Sequence, residues 1–415
     1  MTSPTNGLRC RECGRLFAFE ALYVCEWCFG PLEVVYDYEE IARRIDPARI
    51  RKGPLSIWRY ADLLPADPVG AVDLGAGYTP LIKADRLAAE FGLGELWLKD
   101  DTRNPTGSFK DRVTSVALTR ARELGFKVAA CASTGNLANS VAAHAARAGM
   151  ECYVFVPADL ERTKLTTTAV FGARVVAING TYDEVNRLCA EIVDEHGEWA
   201  FANINLRAYY AEGSKTVAFE VAEQLGWQLP DHVVVPIASG SLLTKIDKGF
   251  SELGLTGLVA GDRRVRISGA QAAGCAPVAQ ALAERRDVPT PVRPATIAKS
   301  LAIGNPADGE EALRSVRSSG GSIATATDAE IIEGMRLLAR TEGIFAETAG
   351  GVTVACLGKL AHEGVVRHDE RVVACITGTG LKTVEAFGDT AAPASVIEPT
   401  LEAFAKLEED WRNPK

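Results

Sequence analysis

Short apolar runs and amphipathic stretches alternate along this chain between residues 96 and 380. Leu96-Trp97-Leu98-Lys99-Asp100 reads as a buried strand that runs into a Pro/Gly turn. Residues 127–132, 152–157, 175–178, 233–237, 265–267, 323–326 and 372–376 are similar apolar runs, too short for helices. Between most of them the period changes to that of a helix. The segment after Lys110 puts Val113, Val116, Ala117, Ala121 and Leu124 on one face and stops at Gly125. Residues 137–149, 181–197, 213–226 and 328–343 behave likewise. This alternation predicts an α/β architecture with parallel sheets covered on both faces. A Pro/Gly-rich connection, residues 53–80, precedes it, and the polar tail after Phe387 is expected on the surface.

A length of 415 residues predicts two to three domains with a large core. The net charge of -9 argues against a nucleic-acid partner, which requires a basic face. No apolar leader is visible in residues 1–7, and no apolar run reaches the ~18 residues of a membrane span. A cytoplasmic location with no membrane partner is therefore expected.

The ten cysteines divide into two groups. Cys131, Cys152, Cys189, Cys275, Cys356 and Cys375 lie in apolar patterns and read as small buried hydrophobes. Cys10, Cys13, Cys25 and Cys28 form two C-x-x-C pairs separated by eleven residues. Four thiolates so spaced make a closed tetrahedral shell suited to a structural zinc ion. Two disulfides would contradict a reducing compartment. Residues 1–36 set Arg9, Arg11 and Arg15 against Glu12, Glu20, Glu26 and Glu33, which is no phosphate-binding surface. The ribbon reads as a packing or assembly module.

The segment from Asn104 to Arg112, N-P-T-G-S-F-K-D-R, is the most informative of the chain. Its turn delivers Lys110 to a helix N-terminus, whose positive pole opposes a second positive charge, a setting for a Schiff-base nucleophile. Loops at the carboxyl ends of parallel strands bind ligands, and three carry suitable residues: Ser133-Thr134-Gly135-Asn136, Ala238-Ser239-Gly240-Ser241 and Thr377-Gly378-Thr379-Gly380-Leu381-Lys382. The second opens a helix whose free N–H groups suit an anion. Other enzyme classes fit poorly. The five histidines form no H-E-x-x-H and no serine lies in G-x-S-x-G. Gly378-Thr379-Gly380 lacks the third glycine and the following βαβ unit of a dinucleotide site.

These segments, with Gly77-Tyr78-Thr79-Pro80-Leu81, Asn205-Leu206-Arg207, Glu212-Gly213-Ser214-Lys215-Thr216 and residues 299–306, make residues 77–382 resemble the fold-type-II pyridoxal-phosphate enzymes. The resemblance is strongest to the threonine synthase family, in its zinc-ribbon-bearing branch. It implies two parallel-sheet α/β domains like those of tryptophan synthase β, plus the ribbon. The expected parts are a ribbon at 1–36, a large cofactor-binding domain at 37–126 and 214–400, a smaller mobile domain at 127–213 and a tail at 401–415. Lys110 would carry pyridoxal 5′-phosphate (PLP) and shuttle protons. Asn136 would donate to the cofactor's ring oxygen O3′, Thr377 would bond the pyridine nitrogen, and Ala238, Ser239, Gly240, Ser241 and Leu242 would cup its phosphate. Ser133, Thr134 and Gly135 would grip the substrate carboxylate, with Ser108 a phosphate or proton-relay partner. Arg207, backed by Asn205 and Lys215, would take a second phosphate, on the substrate. Many family members use a Gly/Asn-rich loop where this chain has Ala-Ser-Gly-Ser, so individual phosphate contacts differ.

The implied reaction converts O-phospho-L-homoserine and water to L-threonine and phosphate, by a homodimer. A cysteate synthase using phosphoserine and sulfite, and a serine/threonine dehydratase, share the lysine segment and stay open at this point. A ribbon-bearing interaction protein with an inactive body would have lost the lysine or the phosphate cup, and both are present.

Overall fold

The ribbon opens the chain as three short antiparallel strands, β1 (Thr5–Cys10), β2 (Leu16–Phe17) and β3 (Leu32–Tyr36), in the order β2-β1-β3. Its inward residues Leu8, Val34 and Tyr36 are buried and continuous with the main core. Tyr209 anchors it by donating to the Glu20 carbonyl at 2.8 Å. The computed structural model describes residues 5–133, 135–158, 162–180, 182–260, 264–390 and 395–412. The chain forms two compact bodies, Met1–Thr383 and Val384–Lys415.

Within the first body a six-stranded sheet is built from β4 (Leu81–Lys83), β5 (Glu95–Asp100), β10 (His232–Pro236), β11 (Arg266–Ala272), β12 (Ile323–Ala326) and β13 (Arg371–Ile376). Its order is β12-β11-β10-β13-β5-β4. All neighbours are parallel except β4 and β5. The connection from β4 to β5 is shorter than the dozen residues a parallel crossover needs, so that edge pair is antiparallel. Strand β10 is buried at every position, as expected of a strand with helices on both faces.

A second sheet, wholly parallel, has the order β8-β7-β6-β9, from β6 (Val128–Ala132), β7 (Glu151–Pro157), β8 (Arg174–Ile178) and β9 (Trp199–Phe201). The small side chains of β6, V-A-A-C-A, are all buried and let covering helices approach closely.

All eight strands expected from the apolar runs are present, with ends shifted by a residue or so except that β11 runs on to Ala272, five residues past the expected end. The three-residue β4 and β9 carry too little pattern to read. The helices Arg207–Glu212 and Thr348–His362 also escaped the periodicity. Both are buried nearly all round and lack the polar stripe that marks an amphipathic helix. The tail, expected on the surface, contains the helix Leu401–Arg412, none of whose residues is buried and which lies in the second body. Among the described residues no helix is long and apolar enough to cross a membrane.

Candidate active site

Lys110 begins the helix Lys110–Glu123, and the turn before it is laced to the loop after β13. Phe109 N–H donates to Thr377 O and Thr379 N–H to Gly107 O, each at 2.9 Å, on either side of a bridge between Ser108 and Gly378. Gly107 is required twice, by a φ of +73° and because a Cβ would lie 2.7 Å from the Thr379 side chain. Asp111 accepts from Thr106 N–H at 2.6 Å and Ser140 Oγ at 2.7 Å, tying the turn to the helix Asn136–Ala148. The Lys110 amine donates to the Tyr210 hydroxyl at 2.8 Å and faces the Phe109 and Tyr210 rings, an arrangement that solvates a cation without water.

Below this turn lies a buried ionic floor. Arg112, with no exposed surface, binds Asp101 through Nε and Nη2 at 2.8 and 2.7 Å, and Glu220 through Nη1 and Nη2. Lys99 closes the set on Glu220 at 2.6 Å. Burial alone would raise the Glu220 carboxyl; Arg112 and Lys99 override it and hold it at about 2. Burial pushes the Lys99 amine down, partly countered by Glu220.

Asn136 opens its helix with no side-chain cap before it. Its Nδ2 donates to both carboxylate oxygens of Glu347, at 3.1 and 2.9 Å, and its Oδ1 accepts from Lys382 Nζ at 2.9 Å. Glu347 is buried, and burial raises its carboxyl despite Asn136, Lys382 and Lys110 nearby. Burial likewise lowers the Lys382 amine. The asparagine amide therefore faces a fixed direction between an acid and a base that both resist ionisation.

The third element is the helix Ser241–Leu255, which follows Ala238, Ser239 and Gly240 at the end of β10. Gly240 has φ +97°, and a Cβ there would lie 2.5 Å from the Asp308 carbonyl oxygen, so only glycine lets the two loops meet. Its N-cap, Gly240, has no side chain to cap this fifteen-residue helix; Ser241 N–H donates to Ser239 Oγ at 3.5 Å, and other first-turn N–H groups are left for an anion. Leu242 and Thr377 are neighbours, lining a cavity of about 10 Å³ with Lys99 and Asp101. Ser108 Oγ, two residues before Lys110, is buried and has no hydrogen-bond partner among the described residues. An uncapped helix start, an orphaned hydroxyl and a half-buried amine fit the phosphate, polar substituents and aldehyde of PLP.

Arg207 opens the helix that carries Tyr210, and its Nη2 donates to Asp308 Oδ2 at 2.8 Å. Arg207 and Arg11 hold the Asp308 carboxyl below its usual range against the upward push of burial. Ser133 and Gly135 stand at the opening of the Asn136 helix, where Gly135 N–H donates to Ser133 Oγ at 3.4 Å. Thr134 lies outside the described residues.

Two expected substrate ligands are committed elsewhere. The Lys215 amine is fully buried, paired with Glu212 at 2.7 Å and Glu252 at 2.9 Å, above the Tyr36 ring. Asn205 closes its own turn, accepting from Phe201 N–H at 2.8 Å and donating to the Trp199 carbonyl at 3.0 Å. Both are structural ties here, which the resemblance that suggested them as ligands could not distinguish. Conversely Tyr210, Glu347 and Asp308 were missed. Each sits in an apolar or turn context that carries no motif, and only the fold brings it to the site.

The ligand atoms of Cys10, Cys13, Cys25 and Cys28 lie within 4.8 Å of one another. Cys10 and Cys25 are buried, and Trp27 N–H donates to Cys25 Sγ at 3.4 Å, which softens thiolate charge. The group can hold one metal ion.

Residues 72–378 match the family described as "Pyridoxal-phosphate dependent enzyme". The chain is 41% identical over 382 residues to the threonine synthase of Methanocaldococcus jannaschii, covering 91% of this chain and 93% of that protein. It is 38% identical over 400 residues to the threonine synthase of Methanosarcina acetivorans, covering 96% and 97%. Among solved structures it resembles threonine deaminase isoform 2 from Solanum lycopersicum, with a TM-score of 0.64 and 19% identity over 75% of this chain and 82% of that one. Serine racemase from Dictyostelium discoideum gives a TM-score of 0.60 at 21% identity, over 73% and 92%. At such identities these two structures speak to the fold alone.

Proposed function

The chain belongs to the threonine synthase family of pyridoxal-phosphate-dependent enzymes, and we propose that it converts O-phospho-L-homoserine and water to L-threonine and inorganic phosphate. The observation that carries this reading is the half-buried Lys110 amine, laced to the Thr377 loop and set close to the Asn136–Glu347–Lys382 chain. Bound PLP supplies an electron sink for negative charge developed at the substrate's α and β carbons.

Lys110 would hold the cofactor, and its amine, when free, would take and return protons at the substrate carbons. The uncapped start of the Ser241–Leu255 helix, with Ala238, Ser239, Gly240 and Leu242, binds the cofactor phosphate. Thr377 bonds the pyridine nitrogen; a hydroxyl there keeps that nitrogen less charged than a carboxylate would. Asn136, held by Glu347 and Lys382, presents its amide edge to the ring oxygen. Ser133, Thr134 and Gly135 take the substrate carboxylate, Ser108 relays a proton and Arg207 takes the ester phosphate.

Residues 127–213 form the smaller lobe, which closes on substrate and limits the entry of water until phosphate has left. Residues 37–126 and 214–383 form the cofactor-binding body; the rest of the expected span, 384–400, falls in the second compact body. The four ribbon cysteines hold zinc as a structural ion. The enzyme works as a cytoplasmic homodimer.

An end-point assay of PLP-loaded protein with O-phospho-L-homoserine tests this, scoring phosphate and amino acid together. Equal amounts of phosphate and threonine are expected. Phosphate accompanied by 2-oxobutyrate would overturn the water-addition step. Turnover of phosphoserine with sulfite, and none of phosphohomoserine, would overturn the substrate.

A further inference from the structure

Arg11 lies inside the first C-x-x-C pair, on a knuckle fixed by its backbone. Cys10 N–H donates to Arg15 O at 2.9 Å, Gly14 N–H to Cys10 O at 3.0 Å, and Arg11 N–H to Pro31 O at 3.0 Å. A metal held by Cys10 and Cys13 would fix it further. From there the Arg11 side chain leaves the ribbon and donates through Nη2 to Asp308 Oδ1 at 3.0 Å, with Nη1 3.8 Å from Glu311. Asp308 stands just before the helix Gly309–Ser319, where an aspartate side chain ordinarily caps; here its carbonyl accepts from Ala312 N–H at 2.9 Å, but its carboxylate accepts nothing from that helix. Its oxygens are divided instead between Arg11 and Arg207. Its N–H donates to Ser239 O at 2.8 Å, so the same residue braces the phosphate loop.

We propose that Arg11 sets the charge and aim of Arg207 through their shared carboxylate, Asp308, and thereby governs binding of the substrate's phosphate ester. This rests on the reading that Arg207 takes that ester. An isolated arginine and aspartate dock fork to fork and cancel. Because Arg11 occupies Oδ1, Arg207 meets Asp308 through Nη2 alone, and the trio keeps one positive charge. Among the described residues Arg207 makes no second side-chain hydrogen bond, and its side chain is the more exposed of the two arginines, 28% against 19%. The remaining donors of its fork are open to an anion. Arg11 is a positioning residue that reaches the ester only through Asp308.

The test titrates the PLP-loaded, metal-replete protein with inorganic phosphate by calorimetry and measures steady-state turnover of O-phospho-L-homoserine. Arg11→Gln should raise both the phosphate Kd and the KM about tenfold while kcat changes less than about twofold. Arg11→Lys, which keeps the charge, should recover most of the loss. Glu311→Gln, a change at the surface, should tighten phosphate binding by removing a competing negative charge. Wild-type phosphate affinity in Arg11→Gln, a fall in kcat at unchanged KM, or weaker phosphate binding in Glu311→Gln would each overturn the inference alone. A wild-type enzyme that retains PLP but neither binds phosphate nor turns over the ester would overturn the functional reading as well.

Discussion

Beneath Lys110 the six-stranded sheet buries Lys99, Asp101, Arg112 and Glu220 in mutual contact. The four-stranded sheet that presents Asn136 rests instead on an apolar cluster of Ala130, Ala132, Phe155, Val185, Cys189, Phe201 and Ile204. Buried ions tolerate one geometry: their bonds are directional, and leaving one unpaired costs more than the pair contributes. Apolar packing is non-directional, and its cost scales with the surface or volume lost. The reacting amine is thus held where a small displacement would matter most. The loops proposed to grip the substrate rest on that apolar packing. The two halves meet through Asn136, Glu347 and Lys382.

The sharpest way to break this contrast is Lys110→Ala. The ionic floor does not use that amine, so circular dichroism and thermal midpoint should stay near wild type. Borohydride should no longer fix the cofactor, and turnover should fall below detection. Fixation in the variant would make another lysine the nucleophile.

Glu220→Gln probes the floor itself. It strands Arg112 and Lys99, and chemical denaturation should show a loss of about 3–5 kcal/mol. The wild-type contribution has a definite pH window. The folded carboxyl sits at about 2 against an ordinary 4.5, so its stabilisation is complete above 4.5 and lost as the pH falls toward 2. Acid titration of the variant should lack that component; an unchanged profile would show that the floor is not stabilising.

Glu347→Gln should act in the opposite sense. A carboxyl whose folded pKa is raised costs stability above that pKa, and the cost disappears as the pH falls through it toward the ordinary value. The variant should melt slightly above wild type at pH 8, by about 1 kcal/mol, with the difference gone near pH 4. Its turnover should drop about tenfold as Asn136 loses its orientation. A lower melting point at pH 8 would assign Glu347 to the framework.

The smallest effect belongs to the apolar lobe. Ile204→Val should cost about 1 kcal/mol with turnover nearly unchanged. A loss as large as that of Glu220→Gln would erase the distinction between the sheets.

Much of the site was legible because its parts are local. The Lys110 turn, the helix opening at Ser241 and the cysteine pairs each place chemistry within a few residues of a strand end or a turn. Glu347 and Tyr210 were not legible, since each meets its partner across the fold: Glu347 binds Asn136 211 positions away, and Tyr210 meets Lys110 100 positions away. Lys215 and Asn205 failed in the other direction. The resemblance offered them as ligands, but burial gave Lys215 to two glutamates and Asn205 to its own backbone turn.

The chain's alternating periodicity determined its α/β class, and its local motifs set a lysine at one helix start, a glycine at another and a four-thiolate group. These depend on hydrogen bonds and steric limits that act over a few neighbouring residues. Only the tertiary structure decided which charges pair with one another and which are left for a ligand. Asp308 shared between Arg11 and Arg207 is the clearest case, joining residues 297 positions apart. Electrostatics and desolvation depend on distance and burial in space, and neither is written in the order of residues.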